Sequence, residues 1–216
     1  PERGGAPSGT DELFLEDPDG ISIQLQASTY CGGGGQLGEK CLAQPELPPP
    51  HGLLNLRDFN HFTTFVTDQV RTVAFYRQLF QMPIDTYQGS MPLLRVGSGN
   101  QFLAFVGAGG RRNFRPLIHH VCLTVTNFDP HEVLESLAEF GITKRTNPRG
   151  PVKPLESYVT MRMPDRGGAL TGTPELYFSD PDGILLQIQD VRYSGGSGYL
   201  GEERGTGPES PEQIAK

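Results

Sequence analysis

The sequence predicts an α+β fold in which paired βαβββ modules form a half-open barrel, preceded by the tail of a further repeat. Three observations carry this. Residues 1–38 match residues 164–201 without a gap, with 22 of 38 positions identical. Two aromatic and β-branched runs are each followed by apolar residues at helical spacing and then by strand-like pieces. A chain of 216 residues with 28 glycines and 19 prolines also suits short strands and many turns better than a helical bundle.

The gapless match includes Asp17-Pro-Asp-Gly-Ile against Asp180-Pro-Asp-Gly-Ile, and Gln24-Leu-Gln against Gln187-Ile-Gln. It already holds at Pro1, so residues 1–46 are read as the C-terminal tail of a preceding repeat unit. Residues 47–54, including His51, are then a Pro-rich linker. An orphan strand such as 12–26 needs a pairing partner, which makes a homodimer or a strand swap through residues 1–46 an expectation.

The two-module domain is expected over residues 55–193, with modules at about 55–107 and 118–190. The first module opens with the strand Asn60-His-Phe-Thr-Thr-Phe-Val-Thr-Asp68. Val70, Val73, Ala74, Tyr76, Leu79 and Phe80 then recur near period 3.6, and strands follow at 84–87, 93–96 and 101–106. Gly97-Ser-Gly-Asn100 signals a hairpin. The second opens with His119-His-Val-Cys-Leu-Thr-Val-Thr-Asn127. A helix starts at the N-cap pair Asp129-Pro130, and strands follow at 142–145, 158–163 and the long run 175–190, punctuated by the Asp180-Pro-Asp-Gly turn. That turn reads as structural: Pro fixes one dihedral, Gly takes a positive φ and Asp bonds the backbone. Residues 194–216 read as a Gly-rich, flexible tail.

Composition excludes some functions. The formal charge is −7 and no basic cluster has interleaved aromatics, so nucleic acid is not an expected partner. The longest apolar runs are strand-sized, so no membrane-spanning helix is expected. Cys122 lies in an apolar run and reads as a core thiol. Cys31 and Cys41 flank Gly32–Gly35, either as a small disulfide loop or as two thiols, which leaves both a cytoplasmic and an exported location open.

The strand openings Asn60-His-Phe and His119-His-Val, the helix run Val73-Ala-Phe-Tyr-Arg-Gln-Leu-Phe80, and Leu176-Tyr-Phe-Ser-Asp-Pro-Asp-Gly-Ile-Leu-Leu-Gln187 together resemble the vicinal-oxygen-chelate superfamily. That group includes glyoxalases, extradiol dioxygenases, epimerases and bleomycin-resistance proteins. The resemblance implies metal ligands on the first strand of each module and four residues after the turn glycine: His61, His120 and Gln187. Two imidazoles and an oxygen with open positions suit a divalent metal, Fe(II) or Mn(II). Extradiol enzymes carry Glu where Gln187 stands, and Gln101-Phe-Leu-Ala-Phe-Val106 offers no fourth ligand.

Tyr177 and Tyr193 are candidate phenols for acid–base work or for bonding a bound oxygen, and Glu175 and Gln189 could line the cavity. His119 is expected on the opposite strand face from His120 by simple alternation. The implied activity is a metal-dependent oxygenase acting on a small molecule with vicinal oxygens. The alternatives are a metal-dependent isomerase or lyase, and a metal-free small-molecule binding protein.

Overall fold

The computed structural model describes residues 6, 9–36, 38, 47, 52–111, 113–205 and 207. Cys41, residues 48–51 of the expected linker with His51 among them, and residues 208–216 lie outside the described residues. The chain divides into two compact units, Pro1–Gly52 and Leu53–Lys216.

In the first unit, β1 (Leu13–Glu16) pairs antiparallel with β2 (Ser22–Leu25) around the Asp17 turn. Asp17 Oδ1 accepts the backbone N–H groups of Asp19 and Ile21. Cys31 is disulfide-bonded.

The second unit holds a nine-stranded mixed sheet built from two halves. The first half is β3 (Leu56–Val66), α1 (Gln69–Phe80), β4 (Ile84–Gln88), β5 (Met91–Arg95) and β6 (Phe102–Gly107). The second is β7 (Leu117–Val125), α2 (Pro130–Glu139), β8 (Thr143–Lys144), β9 (Glu156–Arg162), β10 (Thr173–Ser179) and β11 (Leu185–Asp190). The order β4-β5-β6-β3-β7-β11-β10-β9-β8 brings the first strands of both halves, β3 and β7, together antiparallel at the centre. Each is flanked by the last strand of its own half in parallel, β6 on β3 and β11 on β7. The sheet is the βαβββ arrangement twice over, open rather than closed, with the two-residue β8 as an added edge strand. The long apolar run 175–190 is two strands, because the Asp180 turn folds it into the β10–β11 hairpin.

Local chemistry sets the helix ends. Asp68 caps α1 by accepting from Arg71 N, and Asp129 caps α2 by accepting from His131 N and Glu132 N, with Pro130 in the first turn. The apolar face of α2, Val133 and Leu137, packs with Val125, Phe128, Ile142, Leu176 and Ile188 into a core behind the sheet. Against the other half, Leu93, Phe102, Ala104 and Tyr193 form a second buried cluster. No helix among the described residues is long and apolar enough to cross a membrane.

The hairpins β1–β2 and β10–β11 share one register: Leu13↔Leu25 corresponds to Leu176↔Ile188, and Glu16↔Ser22 to Ser179↔Leu185. Thr10 Oγ1 donates to Gly35 O as Thr173 Oγ1 does to Gly198 O. Exposure separates them: Leu13 is 61% exposed and Leu176 is 0%.

Residues 194–205 depart from the flexible-tail expectation. They strap module 2 onto module 1: Arg204 donates to Asp85 O, and Gly205 N to Thr86 Oγ1. Glycine at position 195 permits this. Its φ is +81°, and a Cβ there would stand 2.6 Å from Leu93 and Phe102 side-chain atoms.

Candidate functional site

The three central strands deliver the three residues singled out as ligands. Cys122 on β7 is the register partner of both His61 on β3 and Gln187 on β11, and His120 lies two residues before it on the same face. All three side chains are buried. His61 Nε2 and His120 Nε2 stand 3.3 Å apart, and the Gln187 side chain lies beside both rings. By register, the position in module 1 that corresponds to Gln187 is Ala104, so the first half contributes no oxygen donor.

Both imidazoles are neutral near pH 7. Burial, then the neighbouring His120, holds His61 well below the usual histidine range. Burial, then His119, lowers His120 to about 3. The outer ring nitrogens are engaged: His61 Nδ1 lies 2.8 Å from Asn60 Oδ1, and His120 Nδ1 lies 2.8 Å from His119 Nδ1. His61 also stacks on Phe102 at 4.4 Å.

The donor set fits a divalent ion of borderline softness. A separation of 3.3 Å is that of two nitrogens each about 2.1 Å from a shared centre. Gln187 Nε2 is buried with no hydrogen-bond partner, as follows when the amide oxygen is the end turned to the imidazoles. Among the described residues no group of three or more His, Cys, Asp or Glu is placed to hold a metal ion. The convergent third donor is an amide.

Around this cluster is a cavity of about 390 Å³. Phe65, Phe102, Met91 and Val106 give it apolar walls, and Tyr177, Tyr193, Arg162 and Glu175 supply polar groups. Arg162 is the hub that sequence reasoning missed. Its Nε donates to Glu175 Oε1 at 3.2 Å, its Nη1 to Gly167 O at 2.7 Å and Gly196 O at 3.3 Å, and its Nη2 to the Tyr193 hydroxyl at 3.0 Å. Gln88 Nε2 donates to the same hydroxyl at 3.0 Å. With two donors on its oxygen, the Tyr193 O–H is itself left to donate. Burial pushes both Tyr193 and Tyr177 above the usual phenol range, so each keeps its proton.

Glu175 reaches the cavity as expected. Gln189 does not line it: its amide donates to Pro174 O. Arg162 had one available signal, a charged residue inside the strand-like run Tyr158–Met163. Asn60 had another, its equivalence to His119 one residue ahead of each histidine.

A family model described as the Glyoxalase/Bleomycin resistance protein/Dioxygenase superfamily matches residues 58–188. No curated protein matches the chain significantly. Among solved structures, a Mn(II)-bound glyoxalase from Novosphingobium aromaticivorans is 16% identical with a TM-score of 0.52, covering 86% of this chain and 50% of its own. A catechol 2,3-dioxygenase is 15% identical with a TM-score of 0.50, covering 92% of this chain and 56% of its own. The chain thus spans about half the length of these structures. At such identity the likeness is one of fold.

Proposed function

The chain belongs to the glyoxalase/bleomycin resistance protein/dioxygenase superfamily, and from that premise we propose that it is a metal-dependent oxygenase, resembling the extradiol type, for a small molecule with vicinal oxygens. The carrying observation is the convergence of His61, His120 and Gln187, two neutral imidazoles and an amide, at one end of a cavity. A bound Fe(II) or Mn(II) supplies Lewis acidity and a template for both reactants there. The protein's own residues do the rest. Phe65 and Phe102 wall a space suited to a single ring. Tyr177 and Tyr193 hold their protons and are suited to donate to oxygens of a chelating substrate.

An isomerase or lyase needs a side chain that takes a proton. Of the two carboxylates lining the cavity, Glu175 is paired with Arg162 and Asp165 is exposed to solvent, and the two histidines are used as ligands, which favours the oxygenase reading. We extend the proposal to the first unit: residues 1–46 belong to the tail of another module, with β1–β2 as its closing hairpin and its surface for strand addition to a neighbour, supported by the shared register and hydrogen bonds.

The test is anaerobic reconstitution with Fe(II) or Mn(II), metal analysis, and oxygen uptake on a panel of catechols. About one ion per chain, lost in the folded H61A/H120A variant, and oxygen consumption coupled to ring cleavage are expected. A folded wild-type chain that takes up neither metal would overturn the reading. A chain that binds metal but consumes no oxygen on any catechol would retire the oxygenase part.

A further inference from the structure

In a regular strand, the residue before an inward-facing histidine faces away from it. The β3–β7 ladder shifts register at three places, and two of them adjoin the histidines. Phe59 pairs with Leu123 and His61 with Cys122, so Asn60 has no opposite number. Thr63 pairs with His120 and Thr64 with Ile118, so His119 has none either. Each central strand therefore carries a β-bulge directly ahead of its histidine, and a bulge re-aims the side chain it carries. The outcome is the same in both halves: Asn60 Oδ1 lies 2.8 Å from His61 Nδ1, and His119 Nδ1 lies 2.8 Å from His120 Nδ1.

We propose that Asn60 and His119 are paired positioning residues, each accepting a hydrogen bond from the Nδ1–H of the histidine that follows it so that the Nε2 lone pairs of His61 and His120 face one shared divalent cation. This rests on the metal reading above.

The Asn60 half follows from donor and acceptor accounting. Asn60 Nδ2 donates to Tyr193 O at 2.7 Å, and a carbonyl can only accept, so the amide oxygen is the end facing His61. His61 Nδ1 must then carry the hydrogen. A neutral imidazole has only one, so Nε2 presents a lone pair. The His119 half is adjustable. With a cation at the centre, His120 Nδ1–H donates to His119 Nδ1 and both Nε2 atoms present lone pairs. Without one, His119 donates to His120 Nδ1, and His120 Nε2–H donates to His61 Nε2 across the 3.3 Å gap. His119 is held in place for either arrangement by stacking on Phe65 at 4.3 Å.

The experiment measures Mn(II) binding by calorimetry to the full chain and to N60A, H119A and H119N, with nitrogen-15 NMR of the imidazoles in the metal-free protein. Loss of an outer-shell partner typically costs about 10–100-fold in metal affinity, and that drop is expected for N60A and H119A. H119N should bind within about threefold of wild type, because asparagine performs this task in the other half; a merely structural histidine would give no such rescue. NMR should find the His61 proton on Nδ1 in wild type and redistributed in N60A. N60A and H119A both binding Mn(II) within twofold of wild type, or H119N as weak as H119A, would overturn the proposal. A His61 proton found on Nε2 would do so independently of any metal. Wild type that binds no Mn(II) refutes the metal reading itself, and the NMR result then decides the orientation of His61 alone.

Discussion

Replacing Arg162 with methionine tests the account of the cavity wall most directly. Its side chain is 3% exposed and pairs with Glu175, which is 13% exposed. The substitution leaves a nearly buried carboxylate without its cation, and Gly167 O and Gly196 O without a donor. Breaking one partner of a buried pair costs about 3–5 kcal/mol. With a urea m-value of about 2 kcal/mol/M, the unfolding midpoint should fall by about 1.5–2.5 M. The double variant R162M/E175L removes the stranded charge as well and should recover part of the loss, since an apolar pair of similar volume often replaces an ion pair at little cost. The remainder reports the two carbonyls. Equilibrium urea unfolding followed by far-ultraviolet circular dichroism measures both. A midpoint shift below about 0.5 M for R162M would refute the claim that this guanidinium ties β9 and β10 to the strap.

Two further outcomes follow from the strap and its phenol. G195A places a Cβ 2.6 Å from Leu93 and Phe102 at a φ of +81°, so it should lower the thermal midpoint, and because the strap holds Tyr193 it should weaken ligand binding as well; a variant as stable as wild type in calorimetry counts against the close packing of that loop. Tyr177 and Tyr193 have folded-state pKa values raised by burial, so unfolded chains lose these protons first. Their stabilising contribution is complete below about pH 10 and lost as pH rises through the folded values; absorbance at 295 nm should show both phenols ionising only together with unfolding.

The sequence made the elements readable because their determinants are local. The Asp129-Pro130 cap, the Asp180 turn and the 3.6-residue spacing of α1 each lie within a few residues. His61, His120 and Gln187 were singled out through the family resemblance, with the repeat placing only the two histidines at equivalent positions, and the register of β3, β7 and β11 brings the three side chains together. Asn60 and His119 were hidden because a bulge belongs to a pair of strands: it exists only in the register of β3 on β7, and alternation along either strand alone gives the wrong face. Arg162 was hidden because its partners Tyr193 and Gly196 are more than thirty residues away. The strap was misread because its glycines, which read as flexibility, answer a need for close approach to Leu93 and Phe102.

The identity of residue 187 bears on what the proposed site would accept. Both histidines are neutral, the Gln187 amide is neutral, both phenols keep their protons, Arg162 is balanced by Glu175, and the remaining charged lining residues, Asp165 and Arg166, are of opposite sign. A divalent ion held here would keep its two positive charges for its ligand, whereas a carboxylate at position 187 would cancel one. One unit of charge at 4 Å counts for about 4 kcal/mol at an effective dielectric of about 20, before desolvation is subtracted. Such a site should therefore favour a chelator carrying two negative charges over one carrying a single charge. Q187E should tighten Mn(II) itself and shift that preference toward the monoanion. Competition between oxalate and acetohydroxamate for the Mn(II)-loaded chain and its Q187E variant measures it; an unchanged ratio between the two proteins would mean that the residue 187 side chain does not face the ion.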